Sequence, residues 1–309
     1  MNRVQFWKNF KLGKELDISG RFIYNGLRNL HEMESLYYEE EVFEFLYNIS
    51  VGLERLIKIA VILIEHDENI DQEEFEKSLI THSHLDLLRR VQKKHDLTIA
   101  SPHNEFMQLL CVFYKTHRYG RYSICSVGTV DKEKTAFHSF IKKYLKITIN
   151  DEFPFDISQN SNQIQRFVGK IIGKVTSEIY KVVEQEASRL NIYTQELRYE
   201  SKASKIFLRK EYEFTNEDVL WKELLIFFIN SNVSSGHIGF IKNMEPLEFD
   251  PGLEIEYLQC LSSEESKLGV LDELEGLYLD IEKPGERLKS VNLIGNSSVF
   301  FDSDDEDEL

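Results

Sequence analysis

The sequence predicts a mainly α-helical chain, and three stretches carry that prediction. Val42 to Glu65 places apolar residues at 42, 43, 45, 46, 49, 53, 56, 57, 60, 61, 63 and 64, a stripe broad enough for a central bundle helix. Phe106, Leu109, Leu110 and Phe113 fall at i, i+3, i+4 and i+7. Ile164, Phe167, Val168, Ile171, Ile172, Val175, Ile179, Val182 and Val183 recur at three- and four-residue steps over about five turns.

Taken in order, the first 150 residues read as mostly helix. The central helix ends in the polar loop HDENIDQEE, 66–74. A shorter helix is expected from Phe75 to Val91, with Leu79, Leu85, Leu87 and Leu88 inward. In DLTIASPHNE, Ser101-Pro102 is expected to stop one element and Asn104 to cap the next. Thr135 to Leu145 reads as a further amphipathic piece. FPFDISQNSNQ, 153–163, marks a boundary by its Pro and its run of Ser, Asn and Gln. A long helix over 160–190 follows, packing on the bundle or pairing with itself in a dimer. Thr215 or Asn216 caps a helix over 217–230, and NSNVSSGHIG reads as a loop. LEIEYLQCL (253–261), GLYLDI (276–281) and SVNLIG/SVFF (290–301) read as strands between Pro-Gly and Gly signals. The expected organisation is a bundle (1–150), a long helix and connection (151–212), a small α+β module (213–301) and an acidic, disordered tail (302–309).

Charge is distributed unevenly. The whole chain carries −16, residues 251–309 alone carry −12, and 101–150 carry +5. Overall acidity argues against a polyanion partner, but the middle of the chain is locally basic. Three Cys at 111, 125 and 260 show no paired spacing. With no secretory signal at the N-terminus, the expected setting is a reducing cytoplasm. LIKIAVILI (56–64), interrupted by Lys58, and LLIFFI (224–229) are shorter than the roughly 20 residues of a membrane span, so no membrane partner is expected.

Candidate chemistry gathers in FYKTHRYGRYS, 113–123. Metal-free RNA cleavage needs an acid or base titrating near neutrality and a cation for charge building on phosphate. His supplies the first and Arg the second. His117 and Arg121 stand four apart, as do Arg118 and Tyr122, each pair on one helical face. Lys115, Arg118, Tyr119 and Tyr122 are the candidate RNA-binding residues, tyrosines being able to stack on single-stranded bases. Arg90 and His95 form a second Arg/His pair in LRRVQKKH. The competing reading makes His117 a satisfied histidine at the core edge and the cations a complement to a helix C-terminal dipole.

THSHLD (81–86) offers His82, His84 and Asp86, but residues two apart in a helix point about 200° apart, so a metal site is not expected. No cofactor is expected. GKIIGK (169–174) lies inside a helix rather than after a strand, which suits close helix packing and not a phosphate loop.

The succession YNISVGLERLIKIAVIL, THSHLDLLRRV and FMQLLCVFYKTHRYGRYS resembles the HEPN superfamily, over about residues 20–125. The likeness lies in a central helix with Glu before a basic and apolar run. A His-Leu dipeptide opens the next short helix, and a last helix ends in an aromatic followed by Arg-Tyr. The resemblance implies an all-α bundle of the kind found in prokaryotic toxin–antitoxin and phage-defence systems, and dimers facing two Arg/His pairs together. Its nucleases carry an Arg followed after four to six residues by His. Arg90 and His95 fit that spacing, and Arg89 fits with one residue more; 13 Arg and 9 His meet it by chance about once in a chain of this length. In the last helix, where the pair would be expected, no His follows Arg118 or Arg121, and His117 comes first.

Two functions therefore stand as expectations. One is a defence or toxin-type effector acting on RNA, an endoribonuclease with Arg90, His95, His117 and Arg121 as candidate catalytic residues. The other is a non-catalytic sensor, adaptor or inhibitor subunit binding a partner protein or nucleic acid, its acidic tail mimicking nucleic acid or covering the basic patch.

Overall fold

A computed structural model describes residues 2–301 except 68, 121, 123, 125–131, 148, 150–158, 193–196 and 198–199. The chain divides into two compact units, Met1–Phe214 and Thr215–Leu309.

The first unit is an all-helical bundle. Its opening turn, Arg3–Phe6, is capped by a reciprocal box between Asn2 and Gln5, then passes through a π-helical turn, Trp7–Lys11, into α1 (Leu12–Glu32). The central helix α2 (Glu39–Glu65) is buried on nearly every side, as its broad apolar stripe requires. It is touched by α1, α4 (His84–Gln92), α5 (Ser101–Val112), α6 (Lys132–Leu145) and α7 (Asn162–Arg189). α1 and α2 approach closely at Gly52, where an added Cβ would lie 2.6 Å from Ile23 Cγ1. Ser19 Oγ donates to Gly52 O there at 2.8 Å, so a hydroxyl buried between two helices is satisfied.

The helix expected over 75–91 is two helices. Asp71 caps α3 (Gln72–Ser78), and Ser83 caps α4 by accepting from the Asp86 amide. A buried Ser with a helical donor three residues on outcompetes continuation of the helix. Ser101-Pro102 does not stop an element either: α5 begins at Ser101, with Pro102 in its first turn, where no intrahelical donor is needed. Asn104 therefore lies inside α5, and His103 Nδ1 accepts from the Ala100 amide instead. α7 matches the long helix expected over 160–190. Its apolar stripe, including Ile164, Val168, Ile172, Ile179 and Val183, is buried on the bundle, which removes the basis for a self-paired helix there. Gly173 lies under the Tyr212 ring, a built Cβ falling 2.4 Å from Cδ2, so this glycine serves close packing.

The second unit corrects the expected α+β module. It comprises α8 (Thr215–Asn230), α9 (Gly236–Lys242), α10 (Glu254–Cys260), α11 (Glu264–Asp280) and α12 (Pro284–Val291). All three segments expected as strands fall on helices or irregular chain, and no strand is found among the described residues. LEIEYLQCL alternates over only a few positions, and its Leu, Glu and Gln are helix formers. Asp250 accepts from the Gly252 amide just ahead of α10, while Ser263 caps α11 and Pro284 opens α12. Signals that read as turns between strands thus act as helix starts.

Candidate active site

The bundle brings together a group of polar residues that sequence spacing had not joined. α2 supplies Glu54 and Lys58, the lead into α4 supplies His82 and His84, and the extension of α5 supplies Tyr114 and Arg118. Glu54 is 7% exposed in the face of an otherwise apolar helix. Its Oε1 accepts from Lys58 Nζ at 2.5 Å, and its Oε2 lies 3.3 Å from His82 Nδ1. The His82 side chain is 51% exposed, so this imidazole opens the group to solvent while Glu54 orients it from below.

Behind them, His84 is wholly buried and its Nε2 donates to Ser50 O at 2.8 Å. Burial pushes its pKa below the ordinary value, so the ring is neutral and Nδ1 is left as a bare, unpartnered lone pair. The Tyr114 ring packs edge-on against His82 and His84 at 5.2 and 5.7 Å. Burial raises the pKa of its hydroxyl, as does Glu54, while Arg118 opposes the rise. Arg118 Cζ sits 3.8 Å above the Tyr114 ring centroid and 4.5 Å from that of Tyr119. Its Nη2 donates to Tyr119 Oη at 2.6 Å, and its Nε is shielded from solvent without a partner.

α5 reaches this position through a π-helical turn, Phe113–His117, which continues into Arg118–Gly120. Thr116 Oγ1 donates back to Val112 O at 2.6 Å, which occupies a carbonyl along this widened turn. Tyr114 and Arg118 face Glu54 and His82, whereas Phe113 and His117 line a cleft against α6.

The other candidates are placed elsewhere. Arg90 forms a forked ion pair with Glu65, with Nη2 to Oε2 at 2.6 Å and Nε to Oε1 at 3.0 Å, and it also donates to Ser78 O at 3.1 Å. His95 lies beyond the end of α4 and holds Glu186 of α7 through Nε2 at 2.8 Å. Arg90 and His95 are thus turned to different partners and share no common opening. Lys115 is exposed and 3.8 Å from Asp86, whose carboxyl is held below its usual range by Ser83, then by Lys115 and Arg89. Tyr119 and Tyr122 are exposed, Tyr122 at 87%. Arg121 lies outside the described residues, as does the 302–309 tail. No group of three or more His, Cys, Asp or Glu is set to hold a metal ion among the described residues. His82, His84 and Asp86 go to Glu54, Ser50 and Arg89 instead.

Glu54, Lys58 and Tyr114 are assigned no site role in the sequence reading, and His82 enters it only within a metal site that is not expected. A signal was present: between Phe45 and Ile64 the charged residues are Glu54, Arg55 and Lys58 alone, and Glu54 and Lys58 stand four apart on one face of the helix. Comparison with models of known families, with curated proteins and with solved structures finds no match for this chain. No helix among the described residues is long and apolar enough to cross a membrane.

Proposed function

We propose that the chain is a defence or toxin-type effector acting on RNA, an endoribonuclease that handles the phosphodiester with Glu54, Lys58, His82, Tyr114 and Arg118. One observation carries this reading: a buried carboxylate, an open imidazole, two cations and a tyrosine converge from three parts of the bundle. Two cations against one carboxylate leave the opening net positive, which suits a phosphate more than a cationic or neutral substrate. In this reading His82, oriented by Glu54, takes the 2′-hydroxyl proton as the 2′-oxygen bonds to phosphorus. The bond to the 5′-oxygen breaks, and that oxygen takes its proton from solvent. Arg118 and Lys58 offset the charge building on the phosphoryl oxygens. Exposed Tyr119 and Tyr122 offer rings on which single-stranded bases stack. The HEPN resemblance is consistent with this reading and adds the expectation of a dimer.

The test is incubation of the full chain with a single-stranded RNA oligonucleotide and its 2′-deoxy counterpart, with EDTA present. Cleavage of the RNA alone is expected, falling about 100-fold or more in His82→Ala and in Arg118→Ala. RNA left intact at every protein concentration defeats the nuclease assignment.

A non-catalytic adaptor is the second reading. It is favoured by the Arg90–Glu65, Arg89–Asp86 and His95–Glu186 pairs, which engage both arginines and the histidine that fit the nuclease spacing. Retained RNA binding without cleavage in the same assay selects it.

A further inference from the structure

The face of the Phe113–His117 turn opposite the Glu54 group borders a cleft of about 360 Å³ between α5 and α6. Its walls are Leu109, Val112, Phe113, Ala136 and Phe140, with Ser139 at the rim. At one end Lys143 gives its charge to Glu105, Nζ lying 2.7 Å from both carboxylate oxygens. At the other stands His117, whose Nδ1 is shielded from solvent and has no partner among the described residues. Burial lowers the His117 pKa, with Glu133 opposing the change, so the ring is neutral near pH 7 and above.

These features define an occupant. The cleft has the volume of a small-molecule site and mainly apolar walls. Lys143, the one Lys or Arg among the described residues that line it, is already paired. A phosphate or carboxylate therefore finds no unpaired Lys or Arg among the described residues that line the cleft. The unpartnered nitrogen of His117 calls for one hydrogen bond from whatever fills the space. A flat heterocycle carrying both an N–H and a ring nitrogen satisfies either His117 tautomer.

We propose that this cleft binds a neutral, mainly apolar heteroaromatic molecule through His117, and that occupancy holds Arg118 in place on the far side of the same turn. The turn is five residues long, and His117 and Arg118 are consecutive, so a ligand that fixes the imidazole restricts the guanidinium beside it. Binding in the cleft is independent of RNA; the effect on Arg118 as a phosphate ligand rests on the nuclease reading above.

The experiment uses the full chain at pH 8 with benzimidazole and 2-phenylbenzimidazole as neutral probes and adenosine monophosphate as an anionic comparator. Saturable binding of the neutral probes is expected by ligand-observed NMR, with the nucleotide excluded from the cleft. Ser139→Trp, at an exposed rim position, and Ala136→Phe are expected to weaken the probes by about tenfold or more. Arg118→Ala is expected to leave their binding intact. Wild-type affinity in a folded Ser139→Trp variant overturns the proposal, as does tighter binding of the nucleotide at the same place. Saturating probe is then expected to change RNA affinity in wild type and not in Ser139→Trp. If the probes bind and are blocked as described while the chain ignores RNA, the cleft stands and the nuclease reading falls.

Discussion

The two compact units divide charge and burial between them in opposite ways. Residues 1–214 carry 31 basic and 31 acidic side chains, a net of zero, whereas 215–309 carry 6 and 22, so the second unit holds the entire −16 of the chain. The first unit buries its large apolar residues around α2, with Phe45, Phe106, Phe113 and Phe137 essentially inaccessible. Across the second, Gly239 is the one buried residue among those whose side chains are described, and α8 leaves Leu220, Ile226, Phe227 and Ile229 exposed. Helical pattern is enough to produce α8, but the apolar side chains it leaves on its surface add no stability until something encloses them. The first unit shows the complementary case, in which a charged group admitted to the core is paired, as Glu54 is with Lys58 and His82.

Substitutions sharpen this contrast. The largest effect is expected at Phe45→Ala, which empties a fully buried site and should cost about 3–5 kcal/mol in urea unfolding. A loss below about 1 kcal/mol would mean that the core tolerates collapse there and would weaken the contrast. Next comes Glu65→Ala, which strips Arg90 of a forked, partly buried partner and is expected to cost about 1–3 kcal/mol.

Acid should act on the first unit through His84. Its folded pKa lies below the ordinary 6.5, so below that pH the unfolded chain takes up a proton that the folded chain refuses. Stability is then complete above about pH 6.5 and falls as pH drops through it toward the folded value, with partly buried His117 adding in the same direction. His84→Gln is expected to flatten that part of the profile, and an unchanged slope would remove His84 as its source. The smallest effect is expected at Phe227→Ala, within about 0.5 kcal/mol, because the ring is exposed. A cost comparable to that at Phe45 would show that α8 is enclosed in solution.

Legibility in the sequence followed the same division. α2, α5 and α7 were readable because each repeats its apolar spacing over several turns, enough to exclude a strand period. The elements of 251–301 were not, since LEIEYLQCL and GLYLDI are short enough to match both periods. At the site, Arg118, Tyr119 and Tyr122 were visible as a cluster of cations and rings. The Arg90/His95 spacing misled because α4 ends at Gln92, so the two residues do not share one helical frame. His82 and Glu54 stand 28 residues apart and meet only because Ser83 breaks the chain into α3 and α4. Contacts made by folding two helices onto a third leave no mark in local spacing.

The wide turn at Phe113–His117 is a matter of phase. It takes in one residue more per turn than the helix leading into it, so every side chain after it is rotated by about 100° relative to an uninterrupted α-helix. Deleting a single residue there, such as exposed Lys115, would preserve the composition of the segment almost unchanged. If the turn then closed to an ordinary α-helical one, the lost residue and the lost widening would offset each other, and Arg118 would keep its place around the axis. Across these five residues the fold therefore has room for one residue fewer, and it is the loss of a second that would carry the guanidinium away from Tyr114.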